Sequence, residues 1–309
     1  MDMNTVILML AATVAAAVPL IFAALGELVV EKSGVLNLGV EGMMIVGALF
    51  AFIVAAETGQ LWLAAMVGAL AGASMALIFG FITLSLMANQ VATGLALTIF
   101  GVGLSAFIGQ GYTSVALDGL KELSIPGLSA LPIVGKLFFA YNILVYLALA
   151  AFIAVAWFLY KSRAGLILRA VGESPSSAHA LGYRVIRIRY LAVLFGGAMA
   201  GLGGAYLSLA YTPLWAEGMT AGRGWIALAL VVFATWRPGR VLMGALLFGG
   251  VTIAQFHVQG LGVEIPSQFL SMLPYMATIV VLVLISRDAG VVRLNAPASL
   301  GQPWHNELH

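Results

Sequence analysis

Residues 5–25 of the chain read TVILMLAATVAAAVPLIFAAL, a run without a single charged side chain. An α-helix needs about 20 predominantly apolar residues to cross the roughly 30 Å hydrocarbon core of a bilayer, so this stretch is long enough to span. Charges and Gly/Pro clusters divide the rest of the chain into similar blocks. They predict an all-α, polytopic membrane protein with about nine transmembrane helices (8–10). The predicted spans are roughly 5–25, 38–56, 61–87, 91–109, 141–160, 190–210, 224–236, 241–259 and 269–286.

Composition supports the same class of protein. Hydrophobic residues make up 62% of the 309-residue chain and charged residues 8%, against about 25% charged in an ordinary soluble domain. The net charge of +2 offers no basic field for nucleic acid, so no nucleic-acid partner is expected. The absence of cysteine excludes disulfides and thiolate chemistry.

Positive charges predict the orientation, because loops on the cytoplasmic side keep Lys and Arg. With the N-terminus outside, a nine-span chain leaves Lys121, Lys136 and Arg223 outside and places the rest of its 14 basic residues in the cytoplasm. We therefore predict an external N-terminus and a cytoplasmic C-terminus. Residues 1–295 form a single transmembrane domain in this scheme, with an external loop at 110–140 and a cytoplasmic loop at 161–189. Residues 296–309 are expected to be a disordered cytoplasmic tail.

The cytoplasmic loop contains a short capped helix in the stretch ESPSSAHALG, residues 173–182. Ser174 is placed as the N-cap, Pro175 at the first helical position and Gly182 just past the end. A helix of about two turns is too short to be stable alone and should need a docking surface. An ordinary capped loop helix is the alternative at this point.

Catalytic signatures are missing from the sequence. It contains no G-x-x-x-x-G-K-[ST] phosphate loop, no G-x-S-x-G elbow and no H-E-x-x-H pair. We therefore expect no enzyme activity, no catalytic residues, no metal site and no cofactor in this chain.

Polar residues inside or beside apolar spans are the candidates for a solute pathway, since they are costly in a membrane and usually face a partner or a route. The candidates are Asn37, Glu41, Asn89, Gln90, Thr93, Trp225 and Gln255. A broken helix near Asn37–Glu41 would aim backbone dipoles at a solute. Glu41 could equally be a first-turn residue stabilised by the helix dipole, and the others could be interhelical hydrogen-bonding residues. Small residues spaced four apart, from Gly196 to Ala205, indicate close helix packing instead.

Four segments resemble a known family. They are LGELVVEKSGVLNLGVEGMMIVGA (25–48), NQVATGLALT (89–98), RAVGESPSSAHALG (169–182) and GRGWIALALVVFATWRP (222–238). Together they resemble the permease subunits of bacterial ABC importers of the ribose and branched-chain amino acid type, in the nucleoside-permease branch. The chain departs from the family at Ser174, where Asn is common, and at Ala234, where Gly is common.

The resemblance implies a transmembrane permease subunit of an ATP-driven importer in the bacterial cytoplasmic (inner) membrane. Its partners would be ATP-binding subunits that carry ATP and Mg, a second, different permease chain that completes a heterodimer, and an extracytoplasmic substrate-binding protein. The cytoplasmic helix resembles the family's coupling helix, with Ala178 and Leu181 expected to make its apolar contacts. Its residues are Glu173, Ser174, Pro175, Ala178, His179, Leu181 and Gly182.

Nucleosides are the implied solute, with a sugar or a branched-chain amino acid as alternatives. Aromatic stacking by Trp225 and hydrogen bonds from Asn89 and Gln255 would suit a nucleobase. A rival of another class is an ion-coupled secondary transporter, which could use Glu27, Glu31 or Glu41 as its carrier site. Such a transporter would need no ATP-binding partner.

Overall fold

Helices account for most of the residues that the computed structural model describes. It describes residues 3–123, 133–260, 266, 269–270, 272–286 and 295–305. The first six helices are α1 (Met3–Lys32), α2 (Val40–Thr58), α3 (Leu61–Gly80), α4 (Gln90–Gly109), α5 (Val134–Phe138) and α6 (Ile143–Lys161). The next six are α7 (Arg163–Glu173), α8 (Pro175–Ala180), α9 (Val185–Tyr206), α10 (Arg223–Phe233), α11 (Pro238–Gly260) and α12 (Leu273–Ser286). A π-helical turn extends α3 to Ser85 and another extends α9 to Tyr211.

Seven helices in the described part of the chain are long and apolar enough to cross a membrane. They are α1, α2, α3 with its π turn, α4 with the turn after it, α6, α9 with its π turn, and α11. This confirms the all-α, multi-pass class but not the predicted count of nine. The two remaining predicted spans correspond to α10 and α12, which have 11 and 14 residues. At 1.5 Å per residue, α10 covers about half of the hydrocarbon thickness.

Helix α9 lies at the centre of the bundle and packs closely against α1, α2 and α3. Glycines make this possible. A methyl group added at Gly201 would overlap the carbonyl oxygen of Gly68 on α3, and one added at Gly47 on α2 would lie 2.5 Å from the Gly201 Cα. The small-residue pattern from Gly196 to Ala205 is thus confirmed as a close-packing surface.

The external loop predicted at 110–140 folds back onto the segment that follows α9. The backbone N–H of Leu117 donates to the carbonyl of Pro213 (2.9 Å), and that of Leu120 donates to the carbonyl of Leu209 (2.8 Å). Residues 124–132 of this loop lie outside the described residues. The contacts place the loop at the end of the bundle opposite Lys32 and α8.

Residues 296–305, which the sequence predicted to be part of a disordered tail, are described and lie against the bundle together with Asn295. Ser299 is buried, and its hydroxyl donates to the carbonyl of Gly172 at the end of α7 (2.7 Å). The sequence did not predict this packing, because apolar residues do not recur in the segment at a helical or strand spacing. It is held by backbone and hydroxyl hydrogen bonds, which leave no signature in hydropathy. Residues 306–309 lie outside the described residues.

Candidate solute pathway and coupling surface

The connection between α1 and α2 folds back along α1. After Lys32 the chain turns at Gly34, which has a positive φ of 87°. The backbone N–H of Asn37 then donates to Oε1 of Glu27, 3.2 Å away and more than a helical turn before the end of α1. The Asn37 side-chain oxygen accepts from the N–H of Gly39 (2.9 Å). Asn37 is therefore fully buried and shapes the turn that starts α2.

Glu41, in the first turn of α2, binds the N-terminus of α10. Its Oε1 accepts from the Thr220 hydroxyl (2.6 Å) and from the N–H of Gly222 (2.9 Å), and its Oε2 accepts from the N–H of Gly224 (2.6 Å). A carboxylate suits this place, because the first N–H groups of a helix lack intrahelical partners and carry a partial positive charge. Gly224 has no room for a side chain, since its Cβ would lie 2.5 Å from the Glu41 backbone.

Helix α10 is held at its other end by α1. The indole N–H of Trp236 donates to Oε2 of Glu31, and both groups are buried. Thr235 and Trp236 follow the helix with positive φ angles of 50° and 53°, which end it sharply. Helix α10 is thus a short helix that begins within the bundle, between Glu41 at one end and Glu31 at the other. Broken helices of this kind form solute sites in many transporters.

Helix α4 forms a wall beside the folded-back connection. Oε1 of Gln90 accepts from the N–H of Leu36 (2.8 Å), and the Thr98 hydroxyl donates to the carbonyl of Leu38 (3.0 Å). Thr93 is buried on the same helix, and Asn89 caps its start by accepting from the N–H of Ala92 (2.9 Å). Among the described residues, the buried amide nitrogen of Gln90 has no hydrogen-bond partner.

Aromatic side chains and one arginine surround the start of α10. The Arg223 guanidinium lies over the ring of Tyr211 at 5.8 Å and donates to the carbonyl of Met219 (3.1 Å). The Tyr275 hydroxyl donates to the carbonyl of Ala221 (3.0 Å). Trp225, in the first turn of α10, keeps 37% of its surface exposed. Irregular backbone at this depth needs such partners, because lipid offers no hydrogen bonds.

The structure brings most of the predicted pathway residues together, but not all of them. Asn37, Glu41, Gln90 and Thr93 lie along the α1–α2 connection or on the α4 wall beside it, and Trp225 lies at the helix start that Glu41 caps. Gln255 does not join them. It lies on α11 beyond Gly249, which packs against Thr13 and Ala17 near the other end of α1. About ten residues, or roughly 15 Å of helix, separate Ala17 from Glu27.

The sequence did not identify three residues of this region as site residues: Thr220, Arg223 and Tyr211. Thr220 lies 179 positions from the carboxylate that it contacts, so no local pattern reports the pair. The sequence signal that was available is Gly222-Arg-Gly, because two glycines flanking a charge inside an apolar block indicate close backbone approach. No group of three His, Asp or Glu side chains that could hold a metal ion occurs among the described residues.

The short helix predicted in the 161–189 loop is present as α8, with the predicted caps. The Ser174 hydroxyl accepts from the N–H of Ser177 (3.3 Å), Pro175 begins the helix, and Gly182 has a φ of 90°. Ala178 is buried against Val171 and Val185 inside this chain, whereas the sequence predicted it to contact a partner. Its small side chain is what allows α8 to lie close to α7 and α9.

The outer face of α8 is exposed. Leu181 follows the helix with 76% of its surface accessible in this single chain. His179 is also exposed, and its ring lies 5.3 Å from that of Trp304. An apolar side chain held outward on a rigid capped turn is suited to docking.

Comparison with known proteins places the chain in a family. Residues 9–285 match the family described as the permease component of the branched-chain amino acid transport system. The "Putative glucose ABC transporter permease protein TsgC13" of Haloferax volcanii is 44% identical, over 97% of this chain and 98% of that protein. The nucleoside ABC transporter permease protein NupC of Lactococcus lactis subsp. cremoris is 34% identical, over 91% and 93%. The guanosine ABC transporter permease protein NupQ of Bacillus subtilis is also 34% identical, over 95% of each chain.

The chain belongs to this family of ABC transporter permeases, and the resemblance seen in the sequence is confirmed. It is a multi-pass protein of the cytoplasmic membrane and a non-catalytic component of its transporter. ATP-binding and substrate-binding subunits are its partners, as membership of the family implies.

Proposed function

We propose that the chain is one half of a heterodimeric permease that imports nucleosides, with its solute route passing the start of α10. The observation that carries the proposal is the buried carboxylate of Glu41 holding the N-terminus of a half-length helix inside the bundle. A fixed helix start surrounded by Arg223, Tyr211 and Trp225 offers stacking and hydrogen-bonding groups at one place. Residues 1–295 act as one permease domain in this proposal.

The pathway candidates divide into two roles. Asn37, Glu41 and Gln90 have side-chain oxygens engaged by backbone N–H groups, so we assign them to shaping the wall of the route. Trp225 and Asn89 are exposed in this single chain, and we assign them to the surface that faces the solute or the second permease. Thr93 lies beneath that surface, and Gln255 falls outside the route.

Two solute classes have specific support. The relatives named for nucleosides and guanosine, together with the exposed aromatic ring of Trp225, favour a solute with a planar base. The 44% identical relative is named for glucose, which makes a hexose the second candidate. A nucleobase gains from stacking on an aromatic face in a way that a sugar without a base does not.

We also propose that the N-terminus is external and the C-terminus cytoplasmic. Lys32, the 161–189 loop and residues 295–305 lie at one end of the bundle, as the distribution of positive charge requires. Cysteines introduced separately at Lys121 and Arg184 should be labelled by an impermeant maleimide from the outside and from the cytoplasm, respectively. The native chain contributes no cysteine background. Labelling of both positions from the same side would contradict the orientation.

Uptake by the assembled transporter tests the proposed solute. The complex should take up labelled guanosine in an ATP-dependent manner, with unlabelled nucleosides competing at least tenfold better than glucose, ribose or leucine.

The coupling role of α8 is tested separately. Leu181→Asp replaces the exposed apolar side chain by a charge in the proposed docking surface, where an unpaired charge is costly once it is buried. We expect uptake and solute-stimulated ATP hydrolysis to fall together by about tenfold or more.

The matched control is Leu123→Asp, the same substitution at a leucine that is exposed at the opposite end of the bundle. It should leave ATP-driven uptake near the level of the unmodified complex. Normal uptake by Leu181→Asp in an intact complex would remove α8 from the coupling step. Preferential uptake of glucose would instead overturn the nucleoside assignment and leave the ABC permease role in place.

A further inference from the structure

The C-terminal segment, residues 295–305, is bound to the end of α7 just before α8. The Ser299 N–H donates to the carbonyl of Gly172 (3.0 Å), and the Ser299 hydroxyl donates to the same oxygen (2.7 Å). The N–H of Ala298 donates to Oε2 of Glu173 (3.0 Å). Three hydrogen bonds therefore fix this segment to the two residues that precede the Ser174 cap.

The same segment is bound to the α1–α2 connection. The N–H of Gly301 donates to the carbonyl of Gly34 (3.1 Å), and the Lys32 ammonium donates to the carbonyl of Asn295 (2.7 Å). Gly301 has a φ of 74°, which a residue with a side chain adopts with strain, so its backbone turns toward Gly34 at little cost. The segment thus bridges the end of α7, just before α8, and the connection that leads to Asn37 and Glu41.

Arg189, one turn into α9, links that helix to the α1–α2 connection and to the C-terminal segment. Its guanidinium is fully buried and donates from Nε to the Ser33 carbonyl (3.2 Å), from Nη1 to the Gln302 carbonyl (3.2 Å) and from Nη2 to the Ser299 hydroxyl (3.1 Å). All three acceptors are uncharged, and two of them belong to the C-terminal segment. Removing the acceptors of a buried cation strongly destabilises the folded protein. The folded state therefore favours the arrangement in which Arg189 holds the segment.

Trp304 extends the contact to α8 itself. Its ring lies 5.3 Å from that of His179 and packs on the small apolar cluster of Val171, Ala178 and Val185. Helix α8 has six residues and is joined to α7 and α9 through non-helical residues at both ends. These joints would let α8 turn independently unless another element holds it.

We propose that the C-terminal segment ties α8 to the α1–α2 connection, so that both move together when the ATP-binding subunit displaces α8. This rests on the docking role proposed for α8. Gly172 already packs against the Lys32 carbonyl, but a packing contact transmits compression and not tension. The hydrogen bonds of Ser299 and Gly301 also transmit a pull. Displacement of α8 would then reach Glu41 and the start of α10 through the covalent connection between Gly34 and Glu41.

A pair of truncations tests the tie in the assembled transporter. Ending the chain after Asn295 removes the bridge, whereas ending it after His305 keeps every contact described above. The shorter chain should lose at least tenfold in guanosine uptake while the complex still hydrolyses ATP, and the longer truncation should match the full chain. Equal uptake by both truncated forms overturns the proposal.

Because loss of the segment leaves Arg189 short of acceptors and could unfold the chain, a milder variant accompanies the truncations. Ser299→Ala removes one donor to Gly172 and one acceptor of Arg189 but keeps the backbone bond. It should lower the uptake per ATP hydrolysed by roughly threefold or more. Ser74→Ala is its control, since Ser74 is exposed and donates to Leu70 within its own helix. An unchanged ratio in Ser299→Ala with a folded complex contradicts the proposal.

A crosslink distinguishes a segment that stays attached during transport from one that must detach. Cysteines at Glu173 and Ala298, joined by a short bifunctional maleimide, should leave ATP-driven uptake within about twofold of the level before crosslinking. Abolished uptake would mean that the segment must detach during transport, which overturns the proposal. Absence of ATP-driven uptake by the full-length complex would instead defeat the proposed function itself, together with the tie.

Discussion

Gly204→Ala should destabilise the protein strongly, although the same change stabilises most helices. Alanine gains about 1 kcal/mol over glycine in an exposed helix interior. A methyl group at Gly204 would overlap the carbonyl oxygen of Met44 and would lie 2.9 Å from the backbone nitrogen of Ala48, and backbone atoms cannot swing aside. Forcing α2 and α9 apart should cost about 1–3 kcal/mol or more. We expect a clear fall in the thermal midpoint of the purified protein and a lower yield of folded chain.

The matched control is Gly103→Ala on α4, where an added methyl group meets no heavy atom within 4 Å. It should be neutral or slightly stabilising, so the two variants should differ in the sign of their effect. Gly204→Leu should abolish recovery of folded protein. A stable, monodisperse Gly204→Ala protein would mean that α2 and α9 do not cross at the distance described here.

The sequence allowed the class of fold to be predicted because hydrophobic length and small-residue spacing are local properties. The spans at 5–25 and 61–87 and the packing surface around Gly201 were all visible in this way. The count of nine was not confirmed where a helix is too short to be identified as a span. Helix α10 stops at Phe233, and its two ends are held by glutamates on other helices, which hydropathy does not record.

The candidate site was predictable in its residue types but not in its contacts. Asn37 and Glu41 stood out because polar side chains in an apolar block are costly. Their partners, Gly39 for one and Thr220 with the start of α10 for the other, depend on how the chain folds back. The caps of α8 were predictable because a cap is local, whereas the burial of Ala178 and the docking of Ser299 are long-range.

Glu41→Gln should impair both stability and transport, because the carboxylate serves as the cap of α10. An amide keeps one acceptor oxygen and replaces the other by an NH2 group, which would face the N–H of Gly222 or Gly224 donor to donor. A buried N–H without an acceptor costs about 1–3 kcal/mol, and the attraction between the negative charge and the helix start is lost as well. We expect a lower thermal midpoint and at least a tenfold loss of guanosine uptake.

The matched control is Glu217→Gln, the same substitution at an exposed glutamate in the segment just before α10. It should leave stability and uptake nearly unchanged. Thr220→Val removes the hydroxyl that donates to Glu41, and its effect should not add to that of Glu41→Gln, since residues in one hydrogen-bond network are coupled. Loss of uptake by Glu41→Gln at unchanged stability would show that the carboxylate acts on the solute itself. Wild-type behaviour in both measurements would mean that the start of α10 does not depend on Glu41, and the solute route would have to lie elsewhere in the bundle.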